Sequence, residues 1–191
     1  MTDRLVVLAS GSGTLLQALL DACADGRVPA DVVGVGSDVA GCTALDRARV
    51  AGIPTLAIPP GDFATREEWN EALLGAVRDW SPDWVVSAGF MRILGPSFVD
   101  AFPGHVINTH PALLPAFPGA HAVRDAMACG VKVTGCTVHV VDHGVDTGPI
   151  LAQRAVEVHD DDDEESLHER IKTEERQLLI DTVTRLIGES A

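Results

Sequence analysis

The chain is 191 residues long, a length typical of one domain, and its 28 acidic residues against 14 basic ones give a formal net charge of −14 at pH 7. Non-specific nucleic-acid binding needs a basic surface, so this charge argues against such a partner. No signal peptide and no apolar run of about 18 residues is evident, so we expect no membrane span and a cytoplasmic location. The four cysteines lack CxxC spacing, which argues against a disulfide framework or a zinc site.

Short β-branched runs alternate with amphipathic segments along the chain. The predicted strands cover residues 4–8, 32–35, 55–58, 84–87, 105–108, 138–141 and 150–158, and the predicted helices cover 15–24, 43–51, 65–80, 96–102, 121–128 and 166–187. Thr65 with Glu68, and Ser166 with Glu169, have the spacing of capping boxes at two helix starts. This alternation predicts a three-layer α/β fold, with a mostly parallel twisted sheet of about seven strands and helices on both faces.

A glycine-rich loop at residues 10–14 follows the first predicted strand and opens the first helix. Ligands of such sheets bind outside the carboxyl ends of the strands, and glycines let backbone N–H groups approach an anion closely. The loop lacks the GK[ST] of a P-loop, and Leu16 stands where a dinucleotide fingerprint has its third glycine. A phosphate site and a tight turn without a ligand both remain open.

Asn108 and His110 end the fifth predicted strand, directly before Pro111. Their period-two spacing places both side chains on one face of the strand. An amide and an imidazole together can polarise a carbonyl and carry a proton. The alternative is a histidine that is only hydrogen-bonded at a strand end.

A shaped loop, VDHGVDTGP, covers residues 141–149 and has Asp146 near its centre. A carboxylate held near His110 would raise the pKa of the imidazole and orient the ring. Alternatively, Asp142 and Asp146 cap turns, as aspartate often does. His139 and His143 are four residues apart, a spacing that along a strand is too long for one metal ion. His139 is instead expected in the core or behind the site.

Four motifs occur in order: VLASGSGT, AGFMRIL, INTHPALLPAFPGAHA and TVHVVDHGVDTGPIL. Together they resemble the phosphoribosylglycinamide formyltransferases, folate-dependent enzymes of purine biosynthesis, over nearly the whole chain. The resemblance implies one catalytic domain (residues 1–191) with a Rossmann-like N-terminal half. It implies transfer of the formyl group of 10-formyltetrahydrofolate, a co-substrate, to the amine of 5′-phosphoribosylglycinamide, without a metal.

The resemblance also implies roles for individual residues. The catalytic residues would be Asn108, His110 and Asp146. The ribonucleotide would contact Gly13, Thr14, Leu15, Lys172 and Glu175. The folate would contact Arg66, Met91, Arg92, Ile93, Leu94, Asn108, Val141, Asp142, His143, Gly144 and Asp146. Leu15 stands where the family usually has Asn, so we expect the backbone N–H groups of the loop to carry the phosphate contact.

Three alternatives share parts of this pattern. A formyltetrahydrofolate hydrolase would carry a further N-terminal domain, and a methionyl-tRNA formyltransferase a further C-terminal one. The length of the chain favours neither, and its negative charge disfavours tRNA. A non-catalytic nucleotide-binding module would not need Asn108, His110 and Asp146 to converge. The expected partners are small molecules, and the chain is expected to be a monomer or a homodimer.

Overall fold

The computed structural model describes residues 2–190, with positions 189 and 190 described as backbone only. The strands are β1 (Asp3–Leu8), β2 (Ala30–Ser37), β3 (Thr55–Ala57), β4 (Trp84–Ser87), β5 (Val106–His110), β6 (Val133–Val140) and β7 (Ile150–Glu157). The helices are α1 (Thr14–Ala24), α2 (Thr43–Val50), α3 (Arg66–Asp79), α4 (Pro96–Ala101), α5 (Ala122–Cys129) and α6 (Glu164–Ser190), with a 3₁₀ turn at Pro60–Asp62.

The strands form one seven-stranded sheet in the order β3-β2-β1-β4-β5-β6-β7. Pairing is parallel from β3 to β5, whereas β6 is antiparallel to both β5 and β7. The strand order reverses between β1 and β4, the place where open α/β sheets bind ligands. The predicted three-layer, mostly parallel architecture is therefore confirmed.

The side chains of β1 point alternately to the two faces of the sheet, and both faces are buried. Leu5 and Val7 belong to the core between the sheet and α1, α2 and α6, whereas Val6 and Leu8 belong to the core beneath α3 and α4. All four side chains are fully buried. No helix within residues 2–190 combines the length and apolar character needed to cross a membrane.

Of the two predicted capping boxes, the one at the start of α3 is present and the one at the start of α6 is not. Thr65 caps α3, and its hydroxyl accepts a hydrogen bond from the Glu68 N–H at 3.1 Å. The second prediction is wrong, because α6 begins at Glu164 and Ser166 already lies inside it. The Asp163 carboxylate accepts from the Ser166 N–H at 2.8 Å, and the Ser166 hydroxyl accepts from the Asp163 N–H at 3.0 Å. Aspartate is as good an N-cap as serine, so the helix starts earlier.

Gly135 lies in β6, which begins five residues before its predicted start. A Cβ at this position would lie 1.9 Å from the carbonyl oxygen of Arg154 on β7, the strand paired with it. Any side chain would therefore push the two strands apart.

We expect Gly135→Ala to lower the free energy of unfolding by about 1–3 kcal/mol, as overpacking does, with a lower midpoint in urea denaturation. Gly75→Ala is the matched control, because Gly75 is exposed in α3 and a Cβ there would have no neighbouring atom within 4 Å. That change should stabilise the protein by up to about 1 kcal/mol. Equal midpoints for the two variants would contradict the packing argument.

Candidate active site

A cleft of about 710 Å³ opens at the carboxyl ends of β1, β4 and β5. It is bounded by the loop after each of these strands, by the loop between β6 and β7, and by α6. Most of the predicted site residues line it: Gly13, Thr14, Leu15, Met91, Arg92, Ile93, Leu94, Asn108, His110, Val141, Asp142, Gly144, Asp146, Lys172 and Glu175.

The glycine-rich loop is held against α2. Gly13 adopts a left-handed backbone conformation (φ 67°), and a Cβ there would lie 2.7 Å from the Cα of Ala44. The Gly11 carbonyl accepts from the Ala44 N–H at 3.0 Å, and the Ser12 carbonyl accepts from Arg47 Nε at 2.8 Å. Because the loop carbonyls are turned toward α2, the loop can present N–H groups to the cleft.

The start of α1 supplies those N–H groups. The first N–H groups of an α-helix have no partner within it, and the helix dipole makes this end favourable for an anion. No acidic residue lies in the first turn of α1. The Leu15 side chain is only 7% exposed and packs in the core with α1's other leucines. Leu15 therefore offers the cleft its backbone more than its side chain.

Asn108, His110, His139 and Asp146 form one connected cluster in the cleft. His110 Nδ1 lies 3.3 Å from Asp146 Oδ2, and His139 Nε2 lies 3.5 Å from Asp146 Oδ1. Asn108 Nδ2 lies 3.2 Å from His139 Nε2. The predicted convergence of Asn108, His110 and Asp146 is thus present, and His139, which sequence reasoning left in the core or behind the site, directly contacts two of them.

Each of the two histidine rings has a carbonyl oxygen on the side that faces away from Asp146. His110 Nε2 lies 2.8 Å from the Phe117 carbonyl and His139 Nδ1 lies 3.0 Å from the Val140 carbonyl, so each of these nitrogens carries a proton. The nitrogen of each ring that faces Asp146 can donate to the carboxylate only when it too carries a proton.

Asp146 is ionised in this setting. Burial alone would raise its pKa, but hydrogen bonds from His139 and from the Gly119 N–H at 2.8 Å, together with the charge of His110, outweigh burial and hold the pKa of Asp146 below its ordinary value. The ionised carboxylate therefore lies where it can accept hydrogen bonds from both imidazoles.

Two residues that contact His110 have left-handed backbone conformations, Phe117 (φ 54°) and Asp146 (φ 56°). This conformation costs roughly 1–2 kcal/mol in a residue with a side chain, and surrounding contacts must hold it. Before Phe117 the chain passes through a cis peptide at Leu114–Pro115. The Thr137 hydroxyl fixes this segment, since it donates to the Ala112 carbonyl at 2.6 Å and accepts from the Leu114 N–H at 3.1 Å.

A second network joins the glycine-rich loop to the loop after β4. The Asp38 carboxylate, with its side chain only 1% exposed, accepts from the Ser10 hydroxyl at 2.5 Å and from Arg92 Nε at 2.7 Å. The Ser10 hydroxyl in turn accepts from the Met91 N–H at 2.7 Å. Asp38 thus fixes the spacing of two cleft walls, although sequence reasoning did not identify it.

Two predicted folate-contacting residues lie outside the cleft lining. Arg66 donates to the Ile93 carbonyl and stacks over Trp69 at 4.4 Å from the ring centroid, so it supports the loop after β4 from behind. His143 pairs with Asp100 at 2.9 Å. Their contact with a folate remains a prediction.

Asp142 closes the turn that carries it. It accepts hydrogen bonds from the Thr147 hydroxyl at 2.7 Å and from the Gly144 N–H at 2.9 Å, and these bonds lower the pKa of Asp142. The turn-capping role considered for this residue is therefore present, and it shapes the loop that carries Asp146.

α6 contributes ionisable groups to the opposite wall. Glu175 is buried, and burial raises the pKa of its carboxyl group, while the charges of Lys172 and Arg176 oppose the rise. Lys172 Nζ donates to Glu169 at 2.6 Å. Within the described part of the chain, no group of three or more His, Cys, Asp or Glu side chains is arranged to hold a metal ion.

Comparison with known proteins identifies the class. The formyl transferase family model matches residues 3–183, so the chain belongs to the formyl transferase family. The phosphoribosylglycinamide formyltransferase of Mycobacterium tuberculosis is 58% identical over 183 residues, covering 96% of this chain and 84% of that protein. The Escherichia coli enzyme of the same name is 40% identical over 175 residues, covering 92% and 82%.

The structural comparison agrees. The crystal structure of glycinamide ribonucleotide transformylase 1 from Symbiobacterium toebii superposes with a TM-score of 0.96 at 44% identity, covering 98% of this chain and 89% of that one. Within the family, this chain therefore belongs with the phosphoribosylglycinamide formyltransferases, as its four motifs predicted. The prediction of a formyl-transferring enzyme is confirmed.

The Asp38 network can be tested by a double-mutant cycle. Arg92→Met leaves the buried carboxylate without its cation, so we expect a loss of about 1–3 kcal/mol in the free energy of unfolding at pH 7. Asp38→Asn removes the charge that Arg92 balances. The double variant should therefore lose clearly less than the sum of the two single losses, measured by urea denaturation. Single effects that add within about 0.5 kcal/mol would show that the two groups are not coupled.

Proposed function

We propose that the chain transfers the formyl group of 10-formyltetrahydrofolate to the amine of 5′-phosphoribosylglycinamide, giving formylglycinamide ribonucleotide and tetrahydrofolate in purine biosynthesis. The observation that carries this proposal is the meeting of Asn108, His110 and Asp146 at the deep end of the cleft, with His110 3.3 Å from the carboxylate. A module that only binds a nucleotide has no need for such a cluster.

The chemistry is acyl transfer, in which the amine attacks the formyl carbon and an oxyanion develops. The Asn108 amide nitrogen, 3.2 Å from His139 Nε2, carries two hydrogens that it can donate to that oxygen. A protonated His110 supports the oxyanion with positive charge, while its Nε2–H is held by the Phe117 carbonyl at 2.8 Å. Donors of this kind are worth about 3 kcal/mol each. Asp146 stabilises the imidazolium and, through water, receives the proton that the amine loses. The oxyanion then collapses, the bond between the formyl carbon and N10 of the folate breaks, and N10 takes up that proton as tetrahydrofolate leaves.

The two walls of the cleft differ in character and suit the two substrates. Met91 and Ile93 are exposed apolar side chains on the loop after β4, and they offer an apolar wall for the pterin ring of the folate. The N–H groups at residues 13–15 suit the phosphate of the ribonucleotide. Lys172 and Glu175 on α6 lie on the same cleft and suit its ribose and glycinamide.

The proposal also covers the partners, the location, the domain organisation and the assembly of the enzyme. The substrates are small molecules, no metal ion takes part, and nucleic acid is not a partner. The chain acts in the cytoplasm as a single catalytic domain (residues 1–191), as a monomer or a homodimer. The negative net charge supports the exclusion of nucleic acid, and the family match over residues 3–183 supports a single domain.

We expect His110→Ala, Asp146→Asn and Asn108→Ala each to lower kcat by at least about a hundredfold, because each removes charge or a hydrogen bond used where the oxyanion forms. The measurement is the absorbance change on deformylation of the folate, with and without phosphoribosylglycinamide, at saturating concentrations of both substrates.

The control is His159→Ala, which removes an exposed histidine before α6 and should leave kcat unchanged. Circular dichroism and the denaturation midpoint of each variant separate a catalytic loss from unfolding. Near-normal turnover in one of the three variants would remove that residue from the mechanism. Deformylation by the wild-type protein that does not depend on the ribonucleotide would point to a hydrolase instead.

A further inference from the structure

α6 turns a row of three ionisable side chains toward the cleft: His168, Lys172 and Glu175. Their spacing of four and three residues places them on one face of the helix. α6 also packs along α1, whose first residues, Thr14 and Leu15, line the same cleft. The row therefore shares the cleft with the N–H groups at the start of α1.

The imidazole of His168 is half-buried and has no hydrogen bond to any part of the chain between residues 2 and 190. The rings of His110, His139 and His143, by contrast, each have a polar partner within 3.2 Å. A half-buried ring with two unused nitrogens beside a cleft is available to a ligand.

The charges around this part of the cleft leave an incoming phosphate poorly balanced. Arg92 is held by Asp38 at 2.7 Å, and Lys172 is shared with Glu169 at 2.6 Å. Leu15 gives its side chain to the core. Arg92 and Lys172 are the Lys and Arg side chains among the described residues that line the cleft, so a dianion at the start of α1 would meet backbone N–H groups and one shared ammonium there.

We propose that His168 is a further ligand of the substrate's phosphate, and that its protonated ring supplies the side-chain contact that Leu15 lacks. This inference rests on the proposed function, because phosphoribosylglycinamide brings the phosphate into the cleft. In this proposal, a residue of α6 makes the enzyme prefer the phosphorylated substrate to its dephosphorylated form.

The electrostatics of the ring suit this role. Burial and the charge of Lys172 lower the pKa of His168, and Glu169 and Glu164 partly oppose them. A phosphate dianion beside the ring reverses the effect of Lys172, so binding is coupled to uptake of a proton. Residues 13–15, which line the same cleft, have no titratable side chain. The other titratable groups that line the cleft are Arg92, His110, His139, Asp142, Asp146 and Glu175.

A first test needs no enzymatic reaction. Inorganic phosphate is titrated into the full-length protein, and the imidazole and backbone amides are followed by NMR. We expect the pKa of His168 to rise by about one unit at saturating phosphate, with shifts in the amides of Thr14 and Leu15, while the ring signals of the exposed His159 do not respond to phosphate. An unchanged His168, whether or not those amides respond, would overturn the proposal.

A second test uses kinetics. His168→Ala should raise KM for phosphoribosylglycinamide roughly tenfold, the effect of one hydrogen bond to a charged group, with kcat and the KM of the folate nearly unchanged. His168→Gln keeps a neutral donor and should recover part of the loss. With the dephosphorylated substrate, glycinamide riboside, all three proteins should have the same kcat/KM, and His159→Ala should match wild type throughout.

These outcomes separate the two proposals. If wild-type protein transfers no formyl group to phosphoribosylglycinamide, the proposed function fails. If transfer is normal but His168→Ala leaves KM unchanged, or weakens both substrates equally, only the role of His168 fails. Circular dichroism of the variants shows whether α6 remains folded.

Discussion

The antiparallel pairing of β6 with β5 is the constraint on which the active site depends. In this register His139 lies opposite Asn108, and the chain after β6 turns back over the end of β5 toward His110. A parallel sheet alone would place Asn108 and His110 at its edge without a carboxylate. The reversal brings Asp146 to within 3.5 Å of both imidazoles, so the strand direction places the carboxylate between the two rings.

Much of this arrangement follows from sequence patterns. The alternation of strands and helices predicted the sheet, and the rule that ligands bind at carboxyl ends of strands pointed to the loops after β1, β4 and β5. Asn108 and His110 could be placed on one face because strand periodicity is local. Asp146 needed the family resemblance as well, since nothing in its own loop shows what it will contact.

The sequence alone could not place His139 or Asp38. His139 reaches the site only through the register of β6 on β5, and a one-residue slip would turn it to the other face. Asp38 follows β2, a strand beside the site and not at its centre, so its polar character resembled that of an ordinary loop residue. The start of α6 was misplaced because Asp163 and Ser166 both have the chemistry of a cap.

The four residues of the active-site cluster come from two parts of the chain, and this determines when the site can form during protein synthesis. Asn108 and His110 belong to the parallel strands, which leave the ribosome first, whereas His139 and Asp146 belong to the hairpin of β6 and β7 and to the loop within it. A nascent chain that has folded only as far as β5 holds Asn108 and His110 without the carboxylate of Asp146. The catalytic cluster is therefore complete only once the hairpin of β6 and β7 has docked on β5.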